Sequence, residues 1–390
     1  FRKPVSHMRT VRAAIIGSGF MGGAHAEALR RLSGVEIVAV ASETEDFARQ
    51  LTDRYGIEKA LGDWRLLLDD DTVDVVHNCT PNNLHYEINK ALVEAGKHVI
   101  AEKPLTITSD ESRELVRLAK DKGVVNAVNF NYRSLPLVRQ ARELVKKGDI
   151  GDIYFVHGHY LQDWLLYETD YNWRLDSRVS GASRAIADIG SHWCDITQFV
   201  TGLEIESVFA DLFTVHPKRK KPVQTAATFQ QGKGETEDVD VDTEDGGTIM
   251  IRFKGGAHGA TNISQVSAGR KNRQWFEIDG SKRAMAWNQE EPNSLWIGQR
   301  GGPNEVLIKD PTLLEPVAAE YAHYPGGHPE GYPDGFKNMF RNVYRFVAED
   351  KDPRSEETDF PTFVDGHRAV LMVEAVLKSH SEQQWVEVGS

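Results

Sequence analysis

Two short stretches carry side chains suited to moving a proton beside a developing negative charge. The apolar run His98–Ala101 ends in Glu102-Lys103-Pro104. Proline biases the residue before it toward extended backbone, which holds Lys103 in one direction. A fixed ammonium stabilises an alkoxide or lowers the pKa of a hydroxyl; the bland alternative is a lysine in a surface loop. The second stretch is Asp188-Ile189-Gly190-Ser191-His192-Trp193-Cys194-Asp195. On an α-helix Asp188, His192 and Asp195 share a face at i, i+4, i+7, while Ile189, Trp193, Ile196 and Val200 form a separate apolar stripe. A carboxylate one turn from an imidazole steers it and tunes its proton affinity, as an acid/base requires. The alternative is an amphipathic surface helix with an incidental histidine. Three polar groups on one face also suit a metal ion, but no paired-histidine spacing accompanies them, and no metal is expected.

The elements that must position these groups begin with Gly17-Ser18-Gly19-Phe20-Met21-Gly22. It follows the apolar run Val11–Ile16 and precedes an alanine-rich segment, 24–32. In this strand–turn–helix context the first glycine makes a tight turn. The second lets backbone approach a pyrophosphate, and the third lets helix and strand pack closely. The helix N-terminus then attracts the phosphates, so residues 17–22 are expected to bind a dinucleotide. The cofactor's identity turns on the end of the next strand, Ser42-Glu43-Thr44-Glu45-Asp46. A carboxylate there binds the ribose 2′-hydroxyl, whereas an arginine accommodates a 2′-phosphate. Ser42 stands at the usual aspartate position, yet Glu43 follows and no basic residue appears before Arg49. The acids repel a 2′-phosphate, so NAD is expected over NADP.

From residue 11 to about 130, apolar runs at 11–16, 35–41, 73–79, 98–101 and 124–128 alternate with helical stretches at 83–95 and 110–122. The latter opens with the capping-box pair Thr108 and Glu111. That alternation predicts a parallel sheet covered on both faces, with ligands beyond the carboxyl ends of its strands. One more helix, 135–147, precedes a turn-rich break. Strand-like runs then follow at 153–160, 206–215, 248–253, 259–265, 274–279 and 284–288. The expected fold class is α/β, an N-terminal doubly wound Rossmann sheet plus a C-terminal α+β domain with a large, open, mainly antiparallel sheet. The expected domains are 9–130 and 131–390, with Ser6-His7-Met8 marking residues 1–8 as a tag remnant. Lys218-Arg219-Lys220-Lys221 reads as a solvated loop, and the acidic stretch 235–245 as a mobile loop before a strand.

A chain of 390 residues is long for one core, and its net charge of −12 argues against nucleic acid or an anionic membrane surface as partner. No apolar stretch reaches the ~20 residues that span a bilayer. Two cysteines, Cys79 and Cys194, cannot build a disulfide framework, and a reducing cytoplasm is expected.

Taken together, the chain resembles the Gfo/Idh/MocA family of dehydrogenases, which includes glucose–fructose oxidoreductase and inositol dehydrogenases. The early G-x-G-x-x-G, Thr80-Pro81-Asn82…His85, Gly96-Lys97-His98-Val99…Glu102-Lys103-Pro104, Asn131-Tyr132-Arg133, Trp173-Arg174 and Asp188…His192 carry the resemblance. It implies that Lys103, Asp188 and His192 form the catalytic set. It also implies that Thr80, Pro81, Asn82, His85 and Glu102 border the cofactor, with Trp173 and Arg174 at its nicotinamide end. Association into a homodimer or homotetramer through the C-terminal sheet is implied as well. His25 matches a recurrent family position but, among alanines, reads as structural. For the substrate, Tyr132, Gln162, Asp163 and His328 offer hydrogen bonds and aromatic surface suited to a polyhydroxylated ring. His328 lies in the proline- and glycine-rich run Tyr324-Pro325-Gly326-Gly327-His328-Pro329. The expected activity is NAD-dependent oxidation of a secondary ring hydroxyl of a sugar or cyclitol. Glycoside cleavage through transient oxidation, and a non-catalytic NAD-binding regulator, are the alternatives.

Overall fold

The computed structural model describes residues 9–223 and 235–389; the tag remnant read at 1–8 lies outside the described residues. Two compact units emerge, one of Phe1–Asn131 and Pro333–His367, the other of Tyr132–Tyr332 and Arg368–Ser390.

The first unit holds a parallel sheet of six strands, β1 (Val11–Ile16), β2 (Val35–Ala41), β3 (Lys59–Leu61), β4 (Val75–Asn78), β5 (His98–Ala101) and β6 (Asn126–Val128). Their order is β3-β2-β1-β4-β5-β6. Ala13, Ala14 and Ile15 of β1 are fully buried, as a strand covered on both faces must be. Helices α1 (Phe20–Arg30), α2 (Glu45–Tyr55), α3 (Asn82–Glu94) and α4 (Ser109–Lys122) make the crossovers. Thr108 and Glu111 form the anticipated capping box of α4 in both directions. Strand order reverses between β1 and β4, the switch point at which such sheets bind ligands. A boundary at 130 assigns 333–367 to the second domain. Instead helix α9 (Tyr332–Ala348) brings Phe336, Phe340 and Tyr344 against His25 and His77 of the first unit.

The second unit begins with α5 (Pro136–Lys146) and β7 (Ile153–Leu161), then α6 (Ser177–Ser180) and α7 (Ser191–Thr201). Strands β8 (Ile205–Phe213), β9 (Lys218–Pro222), β10 (Thr236–Asp240), β11 (Gly246–Phe253), β12 (His258–Ser264), β13 (Arg273–Gly280), β14 (Ala284–Asn288), β15 (Ser294–Gly298) and β16 (Glu305–Ile308) follow. The short helix α8 (Pro316–Ala319), the long α10 (Phe363–Glu382) and β17 (Val386–Glu387) complete the chain. Nine strands form one sheet in the order β16-β15-β14-β13-β7-β12-β11-β8-β17, antiparallel throughout except where β12 meets β7. Alternate residues of β7 and β13 point to a core shared with α7. There Trp193 is fully buried and its Nε1 donates to the Trp275 carbonyl at 2.9 Å. Gly158 of β7 permits that approach, because a Cβ would stand 2.7 Å from Trp193 Nε1.

Two loop expectations are overturned. Lys218-Arg219-Lys220-Lys221 is strand β9, and the acidic stretch supplies its antiparallel partner β10, with Lys220 opposite Asp238 and Lys221 opposite Glu237. Opposite charges across a two-stranded ladder offset the repulsion that each run carries alone. Arg219 points inward, where it and Arg184 both pair with the fully buried Asp245.

Candidate functional site

In the first unit the glycines have the separate tasks their spacing implies. Gly17 sits at φ +99°, and a Cβ there would lie 2.6 Å from the Cys79 carbonyl oxygen. A Cβ on Gly22 would overlap the Gly17 carbonyl at 2.0 Å, so helix and turn meet only without a side chain. Around Gly19 a Cβ would meet nothing within 4 Å. The second glycine thus faces open space before the N-terminus of α1, as a pyrophosphate cradle requires, and the fit to a dinucleotide is good. Phe20 is half exposed beside it, and Met21 is half-buried. Ser42, at the end of β2, has its hydroxyl 2.9 Å from that of Ser18, which places it beside the glycine turn. Glu43 is exposed, and the nearest following cation, Arg49, pairs with Glu45.

Thr80, Pro81 and Asn82 are half-buried at the start of α3, the Thr80 hydroxyl donating to Asn78 Oδ1 at 2.7 Å. His85 and Glu102, expected to border the cofactor, are buried. His85 is fully buried, with Nδ1 2.6 Å from the Pro104 carbonyl and Nε2 2.8 Å from the Thr80 carbonyl. Burial lowers its proton affinity, and a neutral ring donates to only one of these two carbonyls.

Glu102 turns into a polar cluster walled by α9. Burial alone would raise its carboxyl, but the hydrogen bond and charge of His25, then the charge of Lys103 and a hydrogen bond from Asn129, hold its pKa at about 2. His25 Nε2 is 2.9 Å from Glu102 Oε1, and His25 Nδ1 is 2.9 Å from His77 Nδ1. His77 Nε2 is 2.8 Å from the Tyr344 hydroxyl. Burial and then His25 keep His77 neutral, and burial raises Tyr344, so the phenol keeps its proton. These contacts link Tyr344, His77, His25 and Glu102 in one buried hydrogen-bonded chain. Lys103 stands directly after this anchored residue, half-buried at the carboxyl end of β5.

In the second unit, Asp188 lies in a π-helical turn, Ile186–Gly190, that runs into α7. The regular α-helix expected over Asp188, His192 and Asp195 is corrected accordingly. The Ser191 N–H reaches the Ile186 carbonyl five residues back, a wider turn than an α-helix makes. Asp195 leaves the set, because Arg133 grips it with two parallel hydrogen bonds of 2.8 and 2.5 Å. The Asp188 carboxylate accepts from Gln265 Nε2 at 2.9 Å and faces Arg174 Nε at 3.6 Å. Gln265 is itself oriented, since Arg184 Nη1 donates to its Oε1 at 3.1 Å and so turns the amide NH2 toward Asp188. Arg174 also lies over the Trp173 ring, 4.4 Å from its centroid.

The His192 ring meets the Tyr132 ring edge-on, with centroids 5.0 Å apart. The Tyr132 hydroxyl is 2.9 Å from that of Tyr160, Tyr160 donates to Asn272 Oδ1 at 2.7 Å, and Asn272 Nδ2 donates to Tyr132 at 3.2 Å. This closed ring of hydrogen bonds makes a rigid wall beside His192. Gln162 joins it through Asn272 at 2.8 Å. Asp163 is drawn off to Lys271 at 2.8 Å and the Gly269 N–H. His328 is exposed in a loop that the buried Lys309–Glu330 pair holds, Lys309 also donating to the Tyr324 and His328 carbonyls. Gln265, Arg184 and Asn272 escaped the sequence reading, because their roles arise from cross-strand and helix–sheet contacts.

A family model for the oxidoreductase family with NAD-binding Rossmann fold matches residues 11–130, and one for the GFO/IDH/MocA C-terminal domain matches residues 138–286. Levoglucosan dehydrogenase of Pseudarthrobacter phenanthrenivorans is 32% identical, the match covering 98% of this chain and 99% of the relative. Myo-inositol 2-dehydrogenase of Thermotoga maritima is 28% identical over 75% of this chain and 79% of its own. Among solved structures, a levoglucosan dehydrogenase in complex with NADH and L-sorbose superposes with a TM-score of 0.88 at 30% identity. That match covers 98% of this chain and 100% of the other. An inositol dehydrogenase homolog from Azotobacter vinelandii complexed with NAD+ gives 0.85 at 25% identity, covering 97% of each.

Proposed function

Because the chain belongs to the Gfo/Idh/MocA family of NAD-binding oxidoreductases, we propose that it oxidises a secondary ring hydroxyl of a sugar, sugar derivative or cyclitol. Residues 17–22, with Ser42, Glu43, Thr80, Pro81 and Asn82, would hold NAD, and Trp173 and Arg174 would border its nicotinamide end. Bound NAD supplies the acceptor for the electron pair of the substrate C–H bond. His192 removes the hydroxyl proton at an imidazole nitrogen. Lys103 places its ammonium beside the oxygen as negative charge grows there. Asp188 orients the ring hydroxyls and His192, while Tyr132 and Gln162 shape the wall against which the ring lies.

The observation that carries this reading is the Asp188 carboxylate, held by Gln265 and Arg174 four residues before His192. Fixed polar groups of this kind cost little reorganisation when charge develops. That relatives are named levoglucosan and inositol dehydrogenases supports trying cyclic polyols first. Association of copies through the open face of the nine-stranded sheet is part of the same proposal, and light scattering tests it. The activity is tested by supplying levoglucosan, simple glucosides and inositols with NAD and following NADH. Net NADH from at least one cyclic polyol is expected. Release of a sugar substituent without net NADH would replace the reading with glycoside cleavage.

A further inference from the structure

We propose that His157, Glu277 and Asp279 bind a divalent first-row transition cation on the open face of the nine-stranded sheet. β7 and β13 run antiparallel with His157 directly opposite Glu277, and Asp279 lies two residues further along β13 on the same face. One ligand atom from each of the three lies within 4.8 Å of the others. His157 Nε2 is already 3.6 Å from Asp279 Oδ2. Metal–ligand bonds of about 2.1 Å at tetrahedral angles separate neighbouring ligands by about 3.4 Å, so small side-chain rotations complete the site.

The imidazole is pre-oriented. Its ring stacks on Phe155 with centroids 5.1 Å apart and meets Trp275 edge-on at 5.4 Å. Orientation of the ring on a pleated sheet removes much of the rotamer entropy that binding would otherwise cost. Two carboxylates on one face repel each other. A cation between them would relieve that repulsion. All three residues are half-buried within one chain, so the remaining coordination positions open onto the face proposed for association, where water or a second copy would complete them.

One imidazole with two carboxylates is a borderline donor set. It suits Zn2+, Co2+ or Mn2+ better than Ca2+, which takes six to eight oxygen ligands. The site is separate from the residues proposed for catalysis, and no spacing rule exposes it, because its ligands come from strands far apart in sequence.

Chelator-treated full-length protein titrated with Co2+ alone tests the proposal through the visible absorption of the bound ion. One equivalent per chain, displaced by Zn2+, is expected. Loss of that signal is expected in both His157→Ala and Asp279→Asn, with circular dichroism and NADH binding unchanged. Absence of a saturable one-equivalent signal in the unsubstituted protein overturns the proposal, and so does its survival in both variants. Neither result bears on the dehydrogenase reading, which is scored by NADH formation.

Discussion

His25 and Glu102 are separated by 76 intervening positions in the chain, yet their side chains meet at 2.9 Å in a buried contact. The contact joins the first helix of the dinucleotide-binding unit to the residue immediately before Lys103. Buried charge is retained only where hydrogen bonds compensate its desolvation, and here His25 and Asn129 provide them. The histidine of the alanine-rich first helix is therefore the anchor of the loop that presents the proposed electrophile.

That anchor gives acid stability a defined direction. The Glu102 pKa lies at about 2 in the folded protein, below its ordinary value of 4.5. A depressed carboxyl stabilises the fold above the unfolded pKa, and the contribution is lost as pH falls toward the folded value. The difference corresponds to on the order of 3 kcal/mol. In Glu102→Gln the fall in unfolding free energy between about pH 4.5 and pH 2 should be shallower by that order. Denaturant titrations across this window check it, and an unchanged slope would remove Glu102 as the source.

Lys103→Ala should keep NADH affinity while turnover drops by on the order of 10²-fold or more, because one preorganised charge is removed from the developing alkoxide. Fluorescence titration with NADH alongside steady-state kinetics separates the two effects. Unchanged turnover with intact binding would exclude Lys103 from the chemistry.

For alcohol oxidation His192 must be neutral to accept the proton, so activity should fall as pH drops and the imidazole protonates. His192→Asn should abolish that acidic limb together with most of the rate. A limb that persists in the variant assigns the base to another group.

Gln265→Leu should lower kcat by on the order of 10-fold with little change in cofactor affinity, since Asp188 loses the amide that fixes it. The same change leaves Arg184 Nη1 without its Oε1 partner. Thermal melting must therefore accompany the kinetics. A loss of stability with kcat intact would make Gln265 structural alone.

NAD should give the higher kcat/KM, because Glu43 is exposed at the end of β2 and Arg49 is engaged by Glu45. Glu43→Arg should narrow the gap by pairing a guanidinium with the 2′-phosphate. Parallel kinetics with NAD and NADP decide the matter, and a native preference for NADP would reassign Ser42 as a phosphate ligand.

Much of this protein is legible in its amino-acid order because the signals are local. The glycine turn, the buried strands of the first sheet, the capping box at Thr108 and Glu111, and the strand end carrying Lys103 each depend on residues within a few positions of one another. Backbone sterics and hydrophobic periodicity act over that range, so type and spacing suffice. The basic and acidic runs show where local reading ends. Each alone reads as a solvated loop, and only their pairing as β9 and β10 satisfies both charge and backbone. The supporting residues were hidden for the same reason. Glu102 meets His25, His77 meets Tyr344, and Asp188 meets Gln265 across 77, 267 and 77 positions of chain. The order of residues determined which groups of this protein can do chemistry. Tertiary structure alone decided which of them are anchored, because a buried polar side chain takes its orientation from whichever distant partner satisfies its hydrogen bonds.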